Sequence, residues 1–475
     1  MACIVWFIGA VGLVLAINWA YDGWLALASM LFAAICIGAV CAAPRRLGLL
    51  SWGIGIPAFY MMFFVLLPLI NRAIGASTEA TDNEIAVALG VASVGLVAYA
   101  AGVSLMRATP GPRPTYDMLG LLKIDVSVKP IVFVVLASIG TGALVWSYMF
   151  GYFGLIGTTG TEVGKAAGVV FGLGFLLTIA HVLAWNRFFA THNRRVLVLG
   201  VLSTIVMLAF GLIANSKGQM LAPFFFIALC LWGVSGKFPF KLFLVSLLFY
   251  VFIAFPFVTA SRFAFKAEEF AGSRDQLAEL MVDYLASKEW LGDAETFLAV
   301  ESLGRGLLPY FARVVQQSGT AVEFMQGKTF IQGLEVLVPR LLYPEKPDMN
   351  IGNWTAKAFG AVDPSDDVTN FSPTFIGEFY MNFGVTGVFV GMFLMGILAT
   401  LVDRYLIIDK RSWTMPIMVS FVGWQESVVG HTIILFIKNA ALWVPILLVI
   451  AYLTRSPTTA RRQSMTLQGR ARGVN

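Results

Sequence analysis

The chain has 475 residues, of which 58% are hydrophobic and only 13% charged, about half the charged share of an ordinary soluble domain. Most of it cannot face water, which excludes a soluble globular enzyme and a disordered chain alike. The net charge of +6 would suggest an anionic partner in a soluble protein; in a membrane chain it has a topological explanation, and nucleic acid is not implied.

In hydrocarbon every backbone polar group must be satisfied within its own segment or a closed barrel, and continuous apolar runs near ~20 residues decide for helices. Such runs fall at 3–20, 24–43, 51–71, 85–106, 130–149, 167–185, 196–214, 220–235, 242–259, 373–401, 414–430 and 431–453. The first lacks a basic start and is followed at once by another apolar run, so it reads as a first membrane helix and not a cleaved leader. Cys3, Cys36, Cys41 and Cys230 lie within or beside apolar runs with no CxxC pair, which argues against a disulfide framework and a zinc site. The expected fold is all-α and polytopic, with about twelve transmembrane helices.

The positive-inside rule orients these spans. With the N-terminus inside, Arg45 and Arg46, the Arg107–Lys129 cluster, Arg187, Arg194, Arg195, Lys237, Lys241, Arg404, Lys410, Arg411 and the arginines of the tail all lie in the cytoplasm. The short outward loops hold only Arg72, Lys165 and Lys217. The expected organisation is an N-terminal bundle over 1–259, a large extracytoplasmic loop over 260–372, three more spans over 373–453 and a basic cytoplasmic tail over 454–475. The loop carries 10 basic and 16 acidic residues and escapes the rule, since long segments translocate regardless of charge. Leu277, Leu280, Met281, Tyr284 and Leu285 recur at helical spacing, as do Leu303, Leu307, Leu308, Phe311 and Val314. Two or three amphipathic helices on or dipping into the outer bilayer surface are expected. No internal repeat is evident, which weakens an inverted-repeat transporter reading.

Ionisable groups at membrane depth are costly and therefore functional candidates: Lys217, Glu378, Glu426, His431 and Lys438. Lys217, in NSKGQ, is either a solvated turn lysine or an anion ligand. Glu426, His431 and Lys438 span the last hairpin and could pair structurally. In NFSPTFIGEFYMNFG, Ser372 reads as a helix cap and Pro373 as the first helical residue. Glu378 then lies just below the outer surface with Asn382 on its face. A carboxylate there could serve as base toward a hydroxyl, or pair with a loop arginine. Arg262 and Lys266 share a face above the membrane, and Arg274, Arg305, Arg313, Arg340 and Lys346 follow. Arginine's planar fork suits phosphate, and the positive end of the tenth helix would add attraction. For any one of them a solvated or salt-bridged surface role competes. Arg340 and Lys346 stand out because VPRLLYPEKP sets them among prolines that fix the backbone.

GKTFIQGLEVLVPRLLYPEKP followed by SPTFIGEFYMNFGVTGVFVG resembles the bacterial O-antigen and exopolysaccharide repeat-unit polymerases, the Wzy-like proteins. The matching positions are Pro339, Arg340, Lys346 and Pro347, then Gly377, Glu378, Tyr380, Asn382, Phe383 and Gly384. The resemblance covers about 60 residues, and the family's arginine-x10-glycine pattern is absent after Arg262, where Gly272 falls one position early.

This resemblance implies a GT-C-like membrane glycosyltransferase of the inner membrane. It would move a growing glycan from undecaprenyl diphosphate onto an incoming lipid-linked repeat unit, without nucleotide sugar or metal. Its partners would be undecaprenyl-diphosphate-linked oligosaccharides, membrane lipids, and a chain-length regulator and flippase. Arg340, Lys346 and one or more of Arg262, Lys266, Arg274, Arg305 and Lys217 would hold the diphosphate. Glu378, or next His431, would be the base, with Tyr380 and Asn382 at the sugar. Tyr343, Trp354 and Phe379 could wall a sugar groove, though interface anchoring explains Tyr343 and Trp354 equally. An O-antigen ligase, a flippase of lipid-linked sugars and a non-catalytic scaffold are the rival readings.

Overall fold

The computed structural model describes residues 20–42, 51–73, 80–109, 130–150, 172–214, 216–235, 239–254, 256–258, 307–338, 351–365 and 373–406, with scattered positions between them. The helices are α1 (Gly23–Ala42), α2 (Trp52–Met61), α3 (Leu67–Ala73), α4 (Asp82–Ala108), α5 (Pro130–Met149), α6 (Phe175–Thr191) and α7 (Arg194–Ile213), then α8 (Lys217–Ser235), α9 (Phe240–Phe249), α10 (Leu307–Gln317), α11 (Lys328–Leu337), α12 (Ile351–Ala358) and α13 (Thr374–Leu406). Among the described residues the only β pairing is an isolated bridge between Ser318 and Val322. Among the described residues eight segments are long and apolar enough to cross a membrane, so this is a multi-pass α-helical membrane protein. The expected spans at 3–20, 414–430 and 431–453 lie wholly or largely outside the described residues.

Two short π-helical turns interrupt spans that are otherwise continuous, at Met62–Leu66 and Tyr250–Ala254. Each ends two residues before a proline, Pro68 and Pro256. A proline ring collides with the carbonyl four residues earlier and donates no hydrogen bond, and a wider turn just ahead takes up the misfit. At the first of them Leu67 N–H reaches back to the Met62 carbonyl. Helix and span continue through both.

The chain divides into two compact units, one of residues 1–112, 295–407 and 420–441, the other of 113–294, 408–419 and 442–475. In the first, α4 and α13 run parallel in contact along their length. A Cβ on Gly102 would stand 2.2 Å from the Phe393 carbonyl oxygen, and one on Gly396 2.2 Å from the Tyr99 carbonyl oxygen. Backbone therefore touches backbone at this crossing, which only small residues permit. Around it Ala92, Leu96, Tyr99, Val103, Val388, Met392 and Ala399 are buried.

One end of α13 supplies caps to two other helices. The Asp403 carboxylate, 1% exposed, accepts from Ser51 Oγ at 2.5 Å, Trp52 N–H at 2.8 Å and Gly53 N–H at 3.0 Å, at the start of α2. Arg404 donates to the Met106 carbonyl and, at 3.2 Å, to that of Thr109, at the end of α4. Anion at a helix start and cation at a helix end is the arrangement the helix dipole favours. Tyr99 adds a hydrogen bond of 2.9 Å to the Trp52 carbonyl.

Helix α10 departs from the expected surface placement. Its apolar face, Leu307, Leu308, Tyr310, Phe311, Val314 and Val315, is buried, and it packs on α4, α13 and the first π-turn, with Phe311 5.6 Å from the Phe64 ring. The bundle, and not the bilayer surface, covers it.

In the second unit α6 packs on α5, α7 and α8. Gly140 brings the α5 backbone onto Leu177 and Gly200 receives the Trp185 ring. The span expected at 167–185 is shifted: α6 is capped by Gly174 and runs to Thr191, where His192 takes a left-handed conformation. Asn186 and Arg187, just beyond the end of the expected run, are inside the helix: Asn186 is buried and the Arg187 guanidinium lies over the Phe133 ring at 5.8 Å, a cation–π contact that tolerates a charge there.

Replacing Gly396 with Ala should lower the thermal stability of the detergent-purified protein by about 1–3 kcal/mol, the usual cost of overpacking. Gly90→Ala, where an added Cβ meets nothing within 4 Å, should leave it unchanged or slightly raised. Intrinsic-fluorescence melts of both variants test this.

Candidate active site at the head of α13

The start of α13 differs from the expected Ser372–Pro373 cap. Thr374 is the first helical residue, held at φ 63°, and Pro373 precedes the helix. The Thr374 hydroxyl accepts from Gly377 N–H at 3.4 Å, and the buried Tyr60 hydroxyl accepts from Ile376 N–H at 3.4 Å. These first-turn donors are engaged inside the protein, so the attraction for phosphate expected of this helix end is largely used internally.

One turn on, Glu378 is fully buried, as is Asn382 below it. Immediately after Asn382 the helix breaks. Phe383 has φ −140° and ψ 15°, and Gly384 has φ 63° and ψ −151°, a combination essentially reserved for glycine. The break leaves carbonyls without their helical partners, and a second segment of chain supplies donors. Met325 N–H donates to the Met381 carbonyl at 2.9 Å and Gln326 N–H to that of Asn382 at 3.1 Å. The Asn382 side chain completes the latch: Oδ1 accepts from Gly327 N–H at 2.9 Å, while Nδ2 donates to Thr329 Oγ at 2.7 Å and to the Glu378 carbonyl at 2.8 Å. All its principal capacity is used. Asn382, expected at the sugar, ties α11 to the break in α13.

Aromatic rings surround this latch. Phe330 lies 6.1 Å from Phe379 and 6.2 Å from Phe383. Tyr380, half-buried, makes edge contacts with Phe311 at 6.5 Å and Phe324 at 6.3 Å. Phe379, expected to wall a groove, is 8% exposed, and its ring fills the space where Gly391 lacks a side chain, so it is a packing residue. Trp354 and Tyr343 are partly exposed, at 43% and 37%. On α10, Tyr310 stands 5.2 Å from Phe371. Burial pushes its phenol above the usual range, opposed by the Thr355 hydroxyl and the Arg313 charge, so it stays neutral at physiological pH.

Glu378 and Asn382 are thus joined on one face of α13 in the first unit, while Tyr380, two residues from each, packs on Phe311 and Phe324. Lys217 is the first residue of α8 in the second unit. Arg340, Lys346, Arg262, Lys266, Arg274, Arg305 and His431 lie outside the described residues, as do Glu426 and Lys438. Two buried ionisable groups escaped the sequence reading. Asp403 looked like part of a cytoplasmic loop. His181, fully buried, bridges three helices: Nε2–H donates to the Pro223 carbonyl at 3.1 Å and Nδ1 lies 3.0 Å from Ser203 Oγ. A histidine in an apolar run was the available signal, and its contacts are those of polar glue between membrane helices.

Residues 134–455, more than half of the chain, match the family model of a domain of unknown function, DUF8712. The chain belongs to the DUF8712 family. The DUF8712 match begins inside α5 and takes in α6–α13, including the latch and Glu378, while α1–α4 stand outside it. The backbone crossing of α4 with α13 therefore joins a helix outside the DUF8712 match to one within it. No curated protein and no solved structure matches the chain.

Asn382→Ala should cost about 1–3 kcal/mol, because it strands a buried N–H and hydroxyl. Limited proteolysis should then cut the 318–328 turn several-fold faster than in the parent, whereas Asn71→Ala should not change that rate.

Proposed function

We propose that this protein is a membrane glycosyltransferase, a polymerase of lipid-linked oligosaccharide repeat units acting at the outer face of the bacterial inner membrane. The supporting observation is the latch. The two runs that carry the resemblance to repeat-unit polymerases, 327–347 and 372–391, are separate stretches of chain, and Asn382 of the second is hydrogen-bonded to Gly327 and Thr329 of the first. Val338 caps the end of α11, and Arg340 follows two residues later. The described part of the first run is thereby fastened to the helix that bears Glu378. Twelve spans and a GT-C-like arrangement belong to the same proposal.

In this reading Glu378 takes the proton from a hydroxyl on the acceptor repeat unit as that oxygen bonds to the anomeric carbon of the donor glycan. The bond from that carbon to undecaprenyl diphosphate breaks, and the diphosphate leaves with its electron pair. Arg340, Lys346 and further loop cations hold the departing charge. Enclosure of the glutamate strengthens its interactions and excludes water as a competing acceptor. It also requires the covering residues to part when substrates enter.

A second reading draws on the break at Phe383–Gly384. Discontinuous helices with a polar group beside the break are a feature of transporters, which favours a flippase of lipid-linked sugars over a ligase as the rival. The two readings separate in vitro. Purified protein given undecaprenyl-diphosphate repeat units should yield a ladder of polymers, and Glu378→Gln and Arg340→Ala, inserted and folded, should each reduce ladder formation by a factor of about 10² or more. An undiminished ladder in both variants sinks the mechanism; translocation without chain growth favours the flippase.

A further inference from the structure

We infer that α11 is an interfacial helix whose Ile331, Leu334 and Val338 face enters the acyl chains of the outer leaflet, so that α11 is a membrane-binding element and not part of a water-exposed loop. These side chains are 61%, 59% and 38% exposed and recur at i, i+3 and i+7, one stripe of a helix. Exposed Lys328 and the partly exposed Glu335 and Gln332 run along one flank of the stripe, with Gln332 farthest from it.

Two observations identify lipid as the occupant. The stripe is continuous with a surface that already faces the bilayer: Phe330 at its root stacks on Phe383 at 6.2 Å, and Phe383 leads into Val385, Phe389, Val390 and Leu394, all about half exposed on the membrane span of α13. Length places the boundary. From Gly384 to Arg404 a helix rises about 30 Å, the thickness of a bilayer's hydrocarbon core at ~30 Å. The break in α13 therefore falls at the outer edge of that core, and the latch holds α11 at the same level. Exposed Lys328 and Glu323 beside the break fit an interface and not the hydrocarbon. This inference is independent of the reaction catalysed.

The test is nitroxide labelling of the full-length, cysteine-free protein in vesicles of phosphatidylethanolamine and phosphatidylglycerol. Labels at Ile331→Cys and Leu334→Cys should collide several-fold more with oxygen, which concentrates in lipid, than with a water-soluble nickel chelate; a label at Gln332→Cys should show the reverse. Adding Leu334→Lys should raise the nickel exposure of the label at 331 several-fold, with circular dichroism unchanged. Nickel exposure at all three positions overturns the inference in favour of a water-exposed helix. Shielding of 331 and 334 from both reagents overturns it in favour of a protein partner, and an unchanged 331 label in the lysine variant also counts against it.

Discussion

The backbone contact between α4 and α13 decides where the rest of the first unit stands. In lipid there is no hydrophobic drive to bring two apolar helices together, so association depends on close packing and polar contacts. Gly102 and Gly396 allow the approach, each facing a carbonyl oxygen of the other helix. With α13 fixed against α4, its one end places Asp403 and Arg404 at the termini of α2 and α4. Its other end presents Glu378 and Asn382 to α11 and to the 325–327 turn. A single long helix thus organises both ends of the unit.

The break in that helix obeys a rule of exchange. A helix interrupted within a membrane protein exposes carbonyls that hydrocarbon cannot satisfy. Here the 325–327 segment supplies the donors and Asn382 ties them in place. Gly384 supplies the conformation and Phe324 packs over it. Much of the Gly-Glu-x-Tyr-x-Asn-Phe-Gly run is therefore explained by building the turn. Glu378 enters the same turn through its carbonyl, which accepts from Asn382 Nδ2.

Legibility in the sequence follows the range of the forces involved. Apolar runs announce membrane helices locally, and α1, α4, α5, α7 and α8 stand where the runs placed them. The π-turns were legible in principle from Pro68 and Pro256. The end of α6 was misplaced because Asn186 and Arg187 find their burial and their Phe133 contact in distant chain. The caps by Asp403 and Arg404 join residues some 300 or more apart in sequence and leave no local trace. The bonds of Asn382 to Gly327 and Thr329 reach across more than 50 residues, and composition cannot distinguish an amide that holds a sugar from one that holds a turn.

The central claim is that the latched pair of runs forms one site that elongates a lipid-linked glycan. Its most direct test is the size distribution of glycan produced by the wild-type protein in detergent solution, where no bilayer separates two compartments. The account predicts a ladder of repeat-unit multiples that lengthens with time and consumes the single-unit lipid. Single units that persist unchanged in detergent, yet cross the bilayer when the same protein is placed in vesicles, would contradict it.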